Sequence, residues 1–214
     1  MNQTFLVFGA TGQTGSRFVQ YALEQGDRVR VLVRDPAKLS YAHPELEVHQ
    51  GSVTDLANLD DLVGGADFVL SMLGDAAMQQ QRKINTEFVR ELIPAMRRQR
   101  VTRFLYQAGG LSRAPGRRLS LALWVIKNTI ARDFFGQHED NEAVMSYLAE
   151  SADDIEWVVH RASINRTSSS SRVLKRSHRS LSIASFQETA EYNYRTVMDS
   201  AAVHSFDFSA YRRG

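Results

Sequence analysis

Short apolar runs alternate along the chain with longer stretches in which apolar residues recur at helical spacing. The runs are Phe5-Leu6-Val7-Phe8, which stops at Gly9, and Val29-Arg30-Val31-Leu32-Val33, followed by the turn Arg34-Asp35-Pro36. A shorter candidate covers 45–49. Phe68-Val69-Leu70-Ser71-Met72-Leu73 ends in glycine, and Phe104-Leu105-Tyr106 and Ile155-Glu156-Trp157-Val158-Val159 complete the set. Between them, the spacing predicts a helix over 13–25 that stops at Gly26. Asp55 is placed to cap a second helix carrying Leu56, Leu59 and Leu62, which ends at Gly64-Gly65. A long helix is expected over 80–100, kinked at Pro94. A further helical stretch over 117–150 is interrupted near Gly136. Six strands joined by helical crossovers predict an α/β fold with a doubly wound parallel sheet, because such crossovers are nearly always right-handed.

The last quarter has a different texture. Thr167 and Ser168 to Ser171, followed by Arg172, Lys175, Arg176 and Arg179, read as a mobile loop. A short strand at 181–183, a helix over 186–203 and an extended piece at 206–208 follow. The 214 residues suit one domain, with a core over 1–160 and a small C-terminal part, 161–214, on the substrate side.

Composition adds exclusions. Hydrophobic residues make up 43% and charged residues 23%, an ordinary globular profile. Twenty-six Lys and Arg against 24 Asp and Glu leave too small an excess to point to nucleic acid. There is no cysteine, which removes disulfides, thiolate metal sites and cysteine nucleophiles. No stretch approaches the ~20 apolar residues of a membrane span, and the N-terminus lacks the pattern of a signal peptide. A cytoplasmic protein without a membrane partner, monomeric or homodimeric, is the expectation.

The chemistry concentrates at Gly9-Ala10-Thr11-Gly12-Gln13-Thr14-Gly15. Gly9 permits a tight exit from the first strand, Gly12 lets backbone N–H groups approach a diphosphate, and Gly15 lets the helix pack closely on the sheet. Amides and the positive end of the helix dipole then face the phosphates. A tight turn without ligand is the alternative. The strand before this turn and the helical pattern after it are the context a dinucleotide site requires.

This turn is similar to the fingerprint of atypical and extended short-chain dehydrogenase/reductases. More closely, the chain resembles small NAD(P)H-binding proteins related to biliverdin reductase B/flavin reductase and to NmrA-type regulators. The resemblance runs over nearly the whole length and includes Val33-Arg34-Asp35-Pro36, Gly51-Ser52-Val53-Thr54-Asp55, Leu70-Ser71-Met72-Leu73-Gly74 and Trp157-Val158-Val159-His160-Arg161. It implies a Rossmann-type fold and a nicotinamide cofactor. Enzymes specific for NAD usually place a carboxylate at the end of the second strand, where it would repel a 2′-phosphate; Arg34 stands there instead, with Lys38 one turn on. NADP is therefore expected ahead of NAD. Asp35 reads as the start of a turn. The family's adenine-contacting Asp after the third strand is replaced by Ser52, leaving Ser52 and Val53 as the matching positions. Leu73 and Gly74 would lie along the cofactor, and Arg161 is also assigned to it.

Most short-chain reductases use a Tyr-x-x-x-Lys pair, in which lysine lowers the tyrosine pKa. No such pair occurs here: Leu123 stands four residues before Lys127, and Ala108-Gly109 stands where the family commonly has Ser-Ser. Hydride transfer to a flavin, quinone or azo acceptor needs no such triad, since the acceptor can take its proton from water. Gln107, Ser112 and His160 fall at strand ends on the cofactor side and are the candidates for positioning that acceptor, each with a structural alternative: loop bonding for the first two, packing for His160. His138 in His138-Glu139-Asp140-Asn141-Glu142 does not fit a zinc spacing and reads as a solvated helix start; no metal is expected. Trp124 and Tyr147 read as core or pocket wall. Two functions remain: an NADPH-dependent reductase of a small electron acceptor, and a non-catalytic NADP(H)-sensing regulator of NmrA type. A sugar-nucleotide epimerase is disfavoured by the missing tyrosine–lysine pair.

Overall fold

The computed structural model describes residues 2–39, 41–55, 58–129, 131–164 and 172–211. The strands are β1 (Thr4–Phe8), β2 (Arg28–Val33), β3 (Leu46–Gln50), β4 (Phe68–Ser71), β5 (Arg103–Gly109), β6 (Glu156–Ala162), β7 (Leu174–Ser177) and β8 (Ser205–Tyr211). The helices are α1 (Gln13–Glu24), α2 (Leu59–Val63), α3 (Ala76–Gln79), α4 (Ile84–Gln99), α5 (Leu121–Asn128), α6 (Phe135–Ser151) and α7 (Phe186–Met198). One sheet has the order β3-β2-β1-β4-β5-β6-β8-β7. Every pairing is parallel except β7 with β8, whose register sets Leu174 opposite Tyr211. From β1 the chain works outward to β3, then crosses back to β4 on the other side. The strand order therefore reverses between β1 and β4, where the carboxyl ends of the strands leave a crevice.

Alternation along β1 divides the core. Leu6 and Phe8 face a cluster with α2, α4 and α6, built on Leu62, Phe88, Leu92, Met96, Val144 and Leu148. Phe5 and Val7 face the opposite side, where Phe18 and Val19 of α1 meet Ala190 and Val197 of α7. Period-two burial of this kind is what a sheet covered on both faces requires.

The doubly wound reading holds, and several local expectations change. The 181–183 strand does not form; β7 forms at Leu174–Ser177, inside the stretch read as a loop, because β8 offers it an antiparallel edge. The serine run at 168–171 lies outside the described residues. The N-cap of α2, which begins at Leu59, is Asn58 rather than Asp55, which bridges Ser52; Leu56, expected on that helix, lies outside the described residues. Pro94 sits inside the continuous α4. Gly136 does not interrupt the helical stretch, which breaks before it, between α5 and α6. A Cβ on Gly136 would lie 2.4 Å from the Gln79 carbonyl oxygen, so this glycine lets α6 approach α3. Trp124 is exposed on α5 rather than buried.

Candidate functional site

The crevice at the reversal point is a cleft of about 280 Å³. Gly9, Thr11 and Gly12 line it from the β1–α1 turn, and Leu32, Val33 and Arg34 from the end of β2. Gly51, Ser52, Val53 and Thr54 follow β3, and Met72, Leu73 and Gly74 follow β4, with Asp75 and Met78 beyond. Of the sequence-assigned cofactor positions, Gly9, Thr11, Gly12, Arg34, Ser52, Val53, Leu73 and Gly74 thus meet at one wall. The size, at the low end for small-molecule pockets, suits one half of a dinucleotide.

The turn is built for close approach. Gly9 has φ +89°, and a Cβ there would lie 2.6 Å from the Met72 carbonyl oxygen. A Cβ on Gly15 would stand 2.1 Å from the Gly9 carbonyl oxygen. The Gly12 amide donates to that same oxygen at 3.0 Å, folding the turn back on β1. Among the described residues no side chain caps the start of α1, and its first turn carries no acidic residue. Its dipole is therefore not offset by the protein's own charge, which fits a bound anion. Gln13 is exposed, with its side-chain oxygen and carbonyl both accepting from Arg17; Thr14 and Gly15 are buried behind the turn.

At the end of β2, the Arg34 side chain is 71% exposed. Both neighbouring carboxylates are used by the backbone: Asp35 accepts from the Ala37 amide at 3.1 Å, and Asp75 accepts from the Met78 amide at 3.1 Å. Asp75 also stands 3.9 Å from Arg34. Opposite, the Ser52 hydroxyl pairs with that of Thr54 at 2.9 Å.

Beyond the turn, a polar chain runs through the molecule. The Gln107 amide donates to the Thr14 hydroxyl at 3.5 Å and its carbonyl accepts from Asn193 at 2.7 Å. The Asn193 oxygen lies 2.6 Å from Nδ1 of His160, whose Nε2 lies 2.9 Å from the Ser209 hydroxyl. His160 is fully buried, with the Tyr192 ring 4.3 Å away. Burial pulls its pKa down to about 4, partly offset by Asn193 and Asp207, so it is neutral near pH 7. Both nitrogens are committed inside the protein, which corrects its assignment as a residue touching substrate. Arg161 is also corrected: it is buried, its Nε donates to the Ser112 carbonyl at 2.9 Å and its guanidinium sits 4.0 Å from the Phe208 ring centroid. It supports the Ser112 loop from beneath and is not among the residues lining the cleft.

A second buried cluster surrounds Ser112. Its hydroxyl lies 3.3 Å from Nδ1 of His138 and accepts from the Asn141 amide at 3.2 Å. His138 is only 5% exposed, and its Nε2 is buried with no partner among the described residues. Burial first, then the Lys127 charge, pull its pKa down to about 4 against the opposing pull of Glu142. The solvated reading of His138 is thus overturned. The apolar residues Val144, Met145 and Leu148 put that face of α6 on the core, and helical spacing places His138 and Asn141 on the same side. Tyr106 donates to Asn141 at 2.6 Å and accepts from Asn85 at 2.9 Å; burial, its largest influence, drives its pKa far above the usual phenol value. Asp140 accepts from the Asn85 and Thr86 amides at 2.9 Å each, from the Thr86 hydroxyl at 2.7 Å and from Gln79 at 2.8 Å. A carboxylate from α6 therefore caps the start of α4, whose own N-cap, Lys83, offers none. None of the described residues forms a group of three metal-ligating side chains.

The reversal point, the glycine turn and the arginine after β2 define a dinucleotide-binding α/β protein of the Rossmann type. The chain belongs to the NAD(P)H-binding family, which it matches over residues 9–177, and its cofactor is a nicotinamide dinucleotide. It is similar to a 3 beta-hydroxysteroid dehydrogenase/Delta 5-->4-isomerase of Mycobacterium tuberculosis, 33% identical over 112 residues. That stretch is 47% of this chain and only 30% of the relative. In fold it is similar to the oxidoreductase ylbE of Lactococcus lactis (TM-score 0.79, 10% identity, 99% and 92% of the two chains covered). It is likewise similar to ChuY, an anaerobillin reductase of Escherichia coli O157:H7 (TM-score 0.77, 16% identity, 99% and 98% covered). Among the described residues, no helix is long and apolar enough to cross a membrane.

Proposed function

We propose that the protein is an NADP(H)-dependent reductase that delivers hydride to a flavin, quinone or related conjugated acceptor. The observation that carries the NADP assignment is the state of the three charged groups after β2 and β4. Asp35 and Asp75 each accept from a backbone amide through one oxygen, while Arg34 is exposed over the cleft, with the other Asp75 oxygen 3.9 Å away, a long contact that a 2′-phosphate can replace. The unoffset start of α1 supports holding the diphosphate there, with Thr11 and Gly12 beside it. Ser52 and Val53 are the adenine-side contacts, and Leu73 and Gly74 line the path toward the nicotinamide.

When bound, NADPH supplies the hydride; with one proton from water it leaves NADP⁺ and the two-electron-reduced acceptor. The chain's own part is orientation and exclusion of water. No tyrosine of the seven has a lysine four residues on, and Tyr106 spends its hydroxyl on Asn85 and Asn141. Gln107, held between Thr14 and Asn193, is the positioning residue nearest the glycine turn. Ser112, fixed by His138 and Asn141, shapes the loop after β5.

The test mixes purified protein and NADPH with a panel of flavins, quinones and azo dyes and follows the nicotinamide absorbance. Acceleration with at least one acceptor is expected, and Gln107→Ala should slow it while sparing NADPH affinity. Tight NADPH binding with no acceleration by any acceptor would favour the second reading, an NADP(H)-sensing regulator of NmrA type. The observation on that side is that Ser112, His138 and Asn141 bond to one another and none lines the cleft.

A further inference from the structure

Ten large apolar side chains are exposed among the described residues, and six of them fall within 121–135: Leu121, Trp124, Val125, Ile126, Phe134 and Phe135. Scattered exposure needs no explanation, but six of ten within fifteen residues does. On α5 the stripe Leu121, Trp124, Val125 follows helical i, i+3, i+4 spacing, with Leu121 77% and Trp124 55% exposed. The opposite side is the anchored one. Leu123 is half-buried, and Lys127 reaches Glu142 of α6 at 2.5 Å. The helix is thus pinned to the protein by its polar residue and presents its apolar residues outward, the reverse of a helix made to face water.

The charges of this segment are mainly basic. Residues 113–135 carry Arg113, Arg117, Arg118, Lys127 and Arg132 against a single acid, Asp133. Arg113 and Lys127 pair with Glu142, while Arg117, Arg118 and Arg132 have no ion pair among the described residues. Leu, Trp and Phe beside unpaired arginines is the composition of a segment that lies in the interface of an anionic bilayer, with the rings at headgroup depth and the cations on the lipid phosphates. A second copy fits less well. A two-fold interface sets each patch against itself, bringing three unpaired arginines of each chain together.

We infer that residues 113–129 and 131–135 form a peripheral docking surface for an anionic phospholipid membrane, seated through Leu121, Trp124 and Phe134 and held by Arg117, Arg118 and Arg132. This revises the expectation of no membrane partner, which rested on the lack of a spanning stretch; a helix lying on the surface needs none.

The full chain is sedimented with phosphatidylcholine vesicles and with vesicles that also contain phosphatidylglycerol. Partitioning should rise roughly tenfold or more with the anionic lipid and fall as salt is raised. L121S/W124S should lower it about tenfold, and R117Q/R118Q should remove most of the anionic preference. Both pairs of side chains are exposed, so urea midpoints should match the parent. Trp124 gives a readout on the parent protein itself: its emission should shift to the blue with anionic vesicles, and W124F, which leaves the buried Trp157, should abolish the shift. No preference for anionic vesicles, or sedimentation indifferent to L121S/W124S, would overturn the inference. So would a concentration-dependent dimer that L121S/W124S dissolves in a protein that ignores vesicles, which would make the face a self-contact.

Discussion

Arg34 can discriminate between nucleotides because its hold on the protein is loose. Among the described residues its one ionic neighbour is Asp75, whose Oδ2 stands 3.9 Å away while its Oδ1 accepts from the Met78 amide. Arg34→Ala should therefore weaken NADPH roughly 10- to 100-fold, the scale of a charge-assisted pair at an exposed site. NADH affinity should stay within about twofold; titration calorimetry with both nucleotides reads the difference, and equal losses would remove Arg34 from the 2′-phosphate. The two buried histidines act on stability instead. His138 and His160 are both held near pKa 4, below the ordinary imidazole value of 6.5, mainly by burial. Unfolding frees them to take a proton, so their contribution is intact above about pH 6.5. It is lost as the pH falls toward 4, at up to about 1.4 kcal/mol per pH unit for each histidine. Urea midpoints followed from pH 7 to pH 4 should show this slope, and H160Q should flatten it by roughly half. A midpoint level across that range would mean that neither imidazole is buried in its neutral form.

At the scale of elements, the β1–α1 unit depends on the absence of side chains. Gly15→Ala would drive a Cβ into the Gly9 carbonyl at 2.1 Å, a backbone atom that cannot swing aside. The helix must move off the strand, costing about 1–3 kcal/mol and spreading the amides that face the diphosphate. NADPH binding should fall by an order of magnitude or more; a G15A protein with parental affinity would show that the turn tolerates the shift. This unit could be read directly from sequence because its cause is local: an apolar strand, glycines at fixed offsets and a helical pattern. Arg34 follows a strand with a clear apolar pattern, whereas Ser52 and Gly74 come from the resemblance to the family; all three line the cleft. His138 was not legible. Its neighbours Glu139 and Glu142 are charged, and only the arrival of β5 and the Ser112 loop turns its face of α6 inward. Asp140 misled likewise, since the amides it caps belong to α4, 54 and 55 residues earlier. β7 escaped because its pairing is supplied by β8, beyond a helix, and Lys175-Arg176 carries no strand pattern of its own.

Across the whole molecule, the C-terminal layer is tied to the dinucleotide-binding half by one buried cation. Arg103, the first residue of β5, donates to the carbonyls of Val197 at 2.7 Å, Asp199 at 2.6 Å, Ala202 at 3.0 Å and Thr196 at 3.2 Å. It also reaches the Glu156 carbonyl of β6 at 3.2 Å. The Thr196 and Asp199 carbonyls also accept the Asp199 and Ala202 amides, so the guanidinium is a second partner for them and adds donors for Val197 and Ala202; the cation also sits at the negative end of that helix dipole. Burial lowers the Arg103 pKa, with Glu156 and Asp199 opposing, yet the group stays charged because its donors are so fully used. α7 in turn supplies Asn193 to Gln107, so the same anchor positions the chain of bonds that reaches Thr14. Arg103→Met preserves the apolar stem and removes every donor, taking a partner from all four carbonyls around the α7 terminus and leaving only backbone amides to Thr196 and Asp199. A loss of about 3 kcal/mol or more is expected from that many broken bonds, or a fall in Tm of roughly 10 °C for a chain of this size. The folded fraction should still bind NADPH, since the cleft between β1 and β4 lies on the other side of β5, while turnover should fall with the loosening of Asn193 and Gln107. A variant as stable as the parent would place the anchor of α7 in its apolar contacts with α1 alone.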